Sequence, residues 1–593
     1  MSQVRTERAP RIVSLAALAG VLLAGPVSVR AGAILVTTTD DTGPGTLRQA
    51  LASASDGDTI DATGVSGTIL LTSGELQITH NVTIEGPGAA SLAVDGNAAS
   101  RVFENIAANV TISGLTITNG SIAIGGDGGG GIRNDGGLTL DHVTVDGNSV
   151  SPPTYGGGGI WNRGSLTLSN VTVSNNSAVN VFGGGGILSD VGTTLTVTDS
   201  IVSGNSATTS GDGGGIKGTN AQVTLTNSAI SGNSCPGIGG GIFYNGGGTL
   251  TVAHSTISGN SANNGGGMGS YLQGYTIVTV TDSTISGNSA GANGGGIFNY
   301  PQGLTVRGST ISGNSAGQDG GGIFHGGDAS TLVLDSTISG NSAAATGGGI
   351  WSGGHDTGVT VKNSTLSGNS APAGYGGAIF NQGGSTLQIG DTLLDAGASG
   401  GTIFNNGGTV TSLGYSLSSD NGGGVLTAAG DRINTDPVLG PLKDNGGPTD
   451  THALLAGSPA IDAGDPAFDP NGFAPPLSDD QRGSGFPRVV NGRVDVGAFE
   501  FQGGPTTTTV ATTTTSTSTT AASTQAPATT TSTSSTTSTT LRRRACRRAC
   551  RKGVKACEKA CGGHGRTHRL CVKECRGLGR QCGQSTGCNL TSQ

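Results

Sequence analysis

Between Gly128 and Ala371, apolar residues alternate with threonine or serine in short runs such as Leu138-Thr139-Leu140 and Leu166-Thr167-Leu168. This is the two-residue period of a strand with one buried face. The runs recur in a fixed frame of about 28 residues, each copy reading G-G-G-I, then L-T-V, then S-T-I-S-G-N-S-A. The Asn of the G-N-S step falls at Asn148, Asn176, Asn205, Asn233, Asn260, Asn288, Asn314, Asn341 and Asn369, at intervals of 26 to 29 residues. Short strands stacked in parallel at ~4.8 Å pair their backbones and bury a continuous core that one copy cannot cover alone. The pattern predicts an all-β fold, a right-handed parallel β-helix solenoid. Its glycines come in clusters, which excludes collagen, and its period is too short for a four-stranded propeller blade.

Gly67–Gly120 reads as degenerate entry coils and Gly383–Gly424 as two closing coils. A Pro-containing segment, Asp436–Phe501, is expected to cover the open end. A dozen or more coils give a rod on the order of 60–70 Å long. The G-G-G run and the G-N-S corner are read as turns, with Gly and Asn supplying left-handed conformations.

Aligned copies separate inward from outward columns. The residue after G-G-G is Ile132, Ile160, Ile187, Ile216, Ile242, Met268, Ile297, Ile323, Ile350, Ile379 and Ile403, never polar, and is assigned to the core. The next residue is Arg133, Trp161, Leu188, Lys217, Phe243, Gly269, Phe298, Phe324, Trp351, Phe380 and Phe404. A column that accepts Arg and Lys should face out, because an unpaired buried charge is costly. Its rings, Trp161, Phe243, Phe298, Phe324, Trp351, Phe380 and Phe404, are the candidate ligand-binding surface, suited to stacking on sugars. The alternative is that glycine-rich loops cover them as a secondary apolar ladder.

A third column, before S-T-I-S, holds His142, Asn170, Asp199, Asn227, His254, Asp282, Gly308, Asp335 and Asn363, read as exposed corners. Asp282 and Asp335, two coils or ~9–10 Å apart, are the only weak candidates for a glycosidase carboxylate pair. The coils show neither a paired Asp-Asp motif with nearby His and Lys nor a dense Asp cluster for calcium, and neither a metal nor a cofactor is expected.

Composition adds the ends. Arg5, Arg8 and Arg11, an apolar run Ile12–Ala24 and Val29-Arg30-Ala31 form a secretory signal peptide over residues 1–31. No later apolar stretch is long enough to span a membrane. Residues 542–593 carry a net +12 and the rest of the chain −20, and between them Pro505–Thr540 is almost wholly Thr, Ser and Ala. That linker, residues 505–541, is read as a disordered stalk open to O-glycosylation. The tail holds Cys546, Cys550, Cys557, Cys561, Cys571, Cys575, Cys582 and Cys588, whose 4-then-7 spacing repeats around Gly562-Gly563. On two antiparallel helices this makes facing cysteine stripes, and the pairs 561–571, 557–575 and 550–582 share a constant residue-number sum, with 546–588 close to it. A four-rung disulfide ladder is predicted, with a metal site as the competing reading. Cys235 reads as an unpaired, Ser-like turn residue.

The segment T-T-T-D-D-T-G-P-G-T-L-R-Q-A-L-A-S-A (Thr37–Ala54) resembles the opening C-S-L-R-E-A motif of bacterial surface proteins, with Thr46 in place of the Cys and Gln49 of the Glu. The coils resemble the right-handed β-helix repeats of those proteins and of polymorphic outer membrane proteins. Asp436–Gly464 together with D-V-G-A-F-E (Asp495–Glu500) is similar to the choice-of-anchor Q domain. The resemblance covers roughly residues 34–502 and implies an exported protein held at the bacterial cell surface, with no established reaction. The predicted organisation is therefore a β-helix over 32–430, a cap over 431–504, the linker, and a basic hairpin over 542–593. The expected function is adhesion or carbohydrate binding, with extracellular glycans along the rod and anionic envelope polymers at the tail as partners, and no nucleic acid. The alternative is a pectate-lyase-like polysaccharide lyase or glycoside hydrolase.

Overall fold

The computed structural model describes residues 32–503, apart from 124–127, 152–154, 180–182, 210, 272–275 and 355–357. The expected signal peptide (residues 1–31), the expected linker and the tail with its eight cysteines, expected to form a hairpin, lie outside the described residues. Within a coil, the strand opened by the G-G-G-I isoleucine leads to the L-T-V strand and then to the S-T-I-S strand. Equivalent strands pair in parallel to give sheet 1 of 13 strands (Leu76–Ile78 to Ile403–Asn406), sheet 2 of 15 (Ala33–Leu35 to Thr409–Gly414) and sheet 3 of 14 (Gly67–Leu70 to Leu417–Ser418). The result is an all-β parallel solenoid of about 13 turns, with a single short α-helix among the described residues.

Register follows the repeat. Ile132 pairs with Ile160, Ile160 with Ile187, and the column continues unbroken to Ile379 with Ile403. Each of these residues is at most 5% exposed, and all belong to one continuous core. At ~1.5–3 kcal/mol for each fully buried aliphatic side chain, this column alone is a major favourable term.

The asparagines of G-N-S have a role that differs from the expected turn. It is the preceding residue that adopts positive φ, as at Gly232, Gly259, Gly287, Gly313 and Gly340. The asparagines are buried, at most 1% exposed, and form a ladder through the coils. Asn260 Nδ2 donates to Asn288 Oδ1 at 3.0 Å and to the Ile230 carbonyl at 2.9 Å, while its backbone N–H donates to the same Asn288 oxygen at 2.9 Å. The same set repeats from Asn148 through Asn341, so each amide is saturated without water.

The glycine triplets serve this ladder. In Gly294-Gly295-Gly296 only Gly294 has positive φ, +68°. A Cβ on Gly295 would lie 2.4 Å from the Gly321 carbonyl oxygen, and one on Gly296 2.7 Å from that of Gly322 and 3.1 Å from Asn314 Nδ2. Close approach of the next coil, more than turn geometry, therefore demands the second and third glycines.

The corner column does need left-handed backbone. His142, Asn170, Asp199, Asn227, His254, Asp282, Gly308, Asp335 and Asn363 all have φ between 47° and 58°. Asn, Asp and Gly dominate because they tolerate that region best. A serine follows in later coils, and Ser228, Ser255, Ser283, Ser309 and Ser336 each donate N–H to the next coil's serine Oγ at 3.0–3.2 Å.

The N-terminal end is closed by the helix Leu47–Ser53, which buries Leu47, Ala50 and Leu51. Thr46 caps it, accepting from the Gln49 N–H. Arg48 makes two hydrogen bonds to Asp41 Oδ1 at 2.9 and 2.7 Å and donates to the Gly74 and Glu75 carbonyls. Burial pushes the Asp41 carboxyl up, but hydrogen bonds from Ser73, Arg48 and Thr72 outweigh it and hold the group well below the usual range.

At the other end, Leu426 joins the main core with Val425 packed against it. Residues 437–501 run back along the outer face of sheet 3 and also meet the last coil, where Arg432 donates to the Pro459 carbonyl at 2.6 Å. The S-T-I-S hydroxyls receive them: Thr310 Oγ1 donates to the Asp450 carbonyl at 2.6 Å, Thr337 Oγ1 to Gln481 at 2.6 Å, and Thr365 Oγ1 accepts from the Ala498 N–H at 3.0 Å. In the last two coils that column changes to Leu393 and Leu417, which seat a satellite core with Leu454, Val496 and Phe499.

The docked segment buries charge. Arg482 pairs with Asp480 at 2.6 Å and lies between the rings of Phe486 and Phe499, 3.9 and 3.8 Å away. Arg488, fully buried, donates to the Gly497 carbonyl and lies 3.7 Å from Asp335. Burial pushes the Glu500 carboxyl up to about 8, and Asp391 and Asp495 up to about 6.

Cys235 is buried and stands in the column of Ala207 and Ala262, so it is alanine-like and not serine-like. Burial pushes its thiol up to about 12.

Two predictions follow from these contacts. Asn288→Ala strands the Asn260 N–H, the Asn260 amide and the Ile257 carbonyl, so denaturant unfolding is expected to show a loss of about 2–4 kcal/mol, against under about 0.5 for exposed Ser261→Ala. Glu500 keeps its proton to about pH 8 when folded but loses it near its ordinary 4.5 when unfolded. The native state holds the extra proton in between, so stability is full below pH 4.5 and falls as pH rises toward 8 and beyond. Amide protection factors of residues 437–501, taken relative to the intrinsic exchange rate at each pH, are expected to fall from pH 5.5 to 8.5, and Glu500→Gln to flatten that dependence.

Candidate ligand-binding groove

The column after the core isoleucines points away from the main core, yet it is not simply exposed. Trp161, Phe243, Phe298 and Phe380 are only 2–7% exposed, although none belongs to the main core. The first glycine of each triplet lies against the ring-bearing residue: a Cβ on Gly239 would sit 2.7 Å from Phe243 Cα, and one on Gly294 2.7 Å from Phe298 Cα. The glycine-rich loops therefore cover much of the ladder. The charges it accepts are paired: Lys217, 6% exposed, lies 3.4 Å from Asp212 and over the Phe243 ring. Burial lowers its pKa against the pull of Asp212. Arg133 bridges Glu104 and Asp135.

The rings also stack on one another. Phe298 and Phe324 lie 5.1 Å apart at 14°, and Phe324 and Trp351 4.3 Å apart at 2°. Their faces are thus shared along the axis, and it is ring edges that turn outward. Phe380 and Phe404 form a separate pair at 5.6 Å, and Trp161 sits beneath Tyr155 and between Arg133 and Arg163.

Strand alternation sends the residue three after each core isoleucine outward as well. There the column holds Tyr271 and Tyr300, then Gly326 and Gly353. Tyr271 and Tyr300 are 39% and 41% exposed and stack at 5.8 Å, extending the row through Phe298. Where tyrosine gives way to glycine, the surface drops into a groove of about 580 Å³ bordered by Tyr271, Tyr300, Pro301, Phe324, Asp328 and Trp351. The glycines keep it open, since a Cβ on Gly326 would meet the Tyr300 ring at 2.7 Å and one on Gly353 the Trp351 ring at 2.2 Å. Of the seven candidate rings, only Phe324 and Trp351 border the groove, with Phe298 behind them. Tyr271, Tyr300 and Asp328 are additions that reading one more outward column would have found.

With fold and groove in hand, comparison with known proteins is direct. The model of the right handed beta helix region matches residues 56–217 and 160–343. The chain is a right-handed β-helix protein. The Chlamydia polymorphic membrane protein repeat matches residues 363–382 of this β-helix. Among solved structures, the crystal structure of pectate lyase Pel9A aligns over 79% of this chain and 96% of that one, at 15% identity and a TM-score of 0.28. At that level the likeness decides neither fold nor mechanism. Curated proteins give no match.

The β-helix does not assemble the weak catalytic candidates. Asp282 is half-buried, 3.9 Å from His254, and burial raises its pKa. Asp335 is 3% exposed beneath the docked segment, facing Arg488, and burial raises its pKa far more; Asn363, in the same column, is also covered. The corners expected to be exposed at 335 and 363 are thus buried, because residues 437–501 lie over them. No cluster of three metal-binding side chains occurs among the described residues.

The stacked row predicts a split between stability and recognition. Trp351→Ala removes a ring packed on Phe324 and is expected to cost about 2 kcal/mol in thermal unfolding, whereas Tyr271→Ala, at an exposed end of the stack, should cost under about 1 kcal/mol.

Proposed function

We propose that this β-helix is a non-catalytic binding protein of the cell surface that holds carbohydrate in the aromatic groove. The observation that carries the reading is the break from Tyr271 and Tyr300 to Gly326 and Gly353, which leaves half-exposed rings around an open depression. Apolar ring edges and tyrosine hydroxyls beside backbone glycines suit the mixed C–H and O–H surface of a sugar. Among the described residues no accessible acid pair lines the groove, which suits binding better than lyase or hydrolase chemistry. The polymorphic membrane protein repeat and the signal-like N-terminus support an exported, surface-associated protein. The basic tail, +12 over residues 542–593, suits anionic envelope polymers as its anchor.

Retention of the full chain on immobilised polysaccharides, with release of unsaturated and reducing ends scored in parallel, tests this. The Tyr271→Ala, Tyr300→Ala double variant is expected to lose retention about tenfold with unchanged folding, and no product should appear. Product formed by the unaltered chain would move the protein to the enzyme class.

A further inference from the structure

Resting on the groove reading, we infer that the groove selects amino-bearing glycans and rejects polyanionic ones such as uronate or sulfate polymers. Among the described residues the groove lining contains one carboxylate, Asp328, and no Lys or Arg. Asp328 is exposed, and among the described residues no ion pair or hydrogen bond engages its side chain. In the outer columns of sheet 1 the cations stand away from the groove, at Arg133, Arg163 and Lys217, and Lys217 is buried against Asp212. On the earlier coils Arg101, Arg133 and Arg163 are committed to Glu75, Glu104 and Asp135. The surrounding chain deepens this field: residues 32–504 hold 12 Lys plus Arg against 35 Asp plus Glu.

A polyanion entering the groove would therefore meet like charge with no cation to pair its carboxylates or sulfates. A sugar bearing an ammonium group would set its ring hydrogens against Tyr300 and Trp351 and donate its N–H groups to Asp328. Such an exposed pair adds about two- to five-fold in affinity at low salt. It weakens as the Debye length shrinks below ~10 Å, while the ring contacts do not.

Trp351 borders the groove, and in a Trp161→Phe background it is the sole tryptophan, so its fluorescence reports binding there. The full chain would be titrated at pH 6 with hexamers of glucosamine, N-acetylglucosamine and galacturonate. The glucosamine hexamer is expected to bind two- to five-fold more tightly than the N-acetylated one at low salt, with the difference lost in 1 M salt and in Asp328→Asn. The galacturonate hexamer should leave the signal unchanged. A galacturonate response lost in Tyr271→Ala, Tyr300→Ala, or an amino-sugar preference that survives Asp328→Asn, would overturn the charge selection while leaving carbohydrate binding standing. Silence from all three hexamers would remove the groove reading itself.

Discussion

The asparagine ladder is the constraint on which the rest of the solenoid depends. Each rung closes only if successive coils hold their G-N-S corners in register, because one amide oxygen accepts from two donors of the preceding coil. A buried amide with a missing partner costs about 1–3 kcal/mol per unsatisfied group. The ladder therefore tolerates no insertion between the corner glycine and the serine. Coil length still varies from 26 to 29 residues, so the variation is displaced elsewhere, chiefly into the segments between the corner and the glycine triplet and between sheets 1 and 2. The groove is built in the second of these.

The ladder also sets what the outer face of sheet 1 can look like. The third glycine of the triplet packs on an asparagine amide and the first lies against the outward ring column, so one tight loop supports the interior and roofs the exterior. Under that roof Phe298, Phe324 and Trp351 stack in line with the axis. The groove opens where the alternate outward position opens, at Gly326 and Gly353 beside Tyr271 and Tyr300. The proposed site is thus a local lapse in a repeat whose regularity serves stability.

The sequence made the repeat legible because its signals are local: strand alternation, the uninterrupted isoleucine column and the Gly/Asn/Asp chemistry of the left-handed corners. What it hid are contacts between residues far apart in the chain. Nothing in Phe243 or Phe298 reveals that a glycine four residues earlier lies against it, and an Arg or Lys in that column implied exposure only because its partners, such as Asp212 for Lys217, were not in view. The docking of residues 437–501 was equally hidden, although the change from Thr310, Thr337 and Thr365 to Leu393 and Leu417 marks where an apolar partner sits. The N-terminal segment is intermediate: its Leu-Arg pair is visible as a motif, but only the structure shows Leu47 plugging the cylinder and Arg48 tying the plug to Asp41.

The corner carboxylates show why position in a repeat does not assign chemistry. Asp199, Asp282 and Asp335 occupy one left-handed position for one backbone reason, yet the first is exposed, the second half-buried beside a histidine, and the third enclosed against Arg488. Their charges differ in behaviour because different things lie over them, not because the repeat differs. A pair two coils apart has the spacing of an acid and a base, but catalysis also needs both groups open to one substrate, and the docked segment closes Asp335 off. The same segment that covers Asp335 leaves the groove on sheet 1 open.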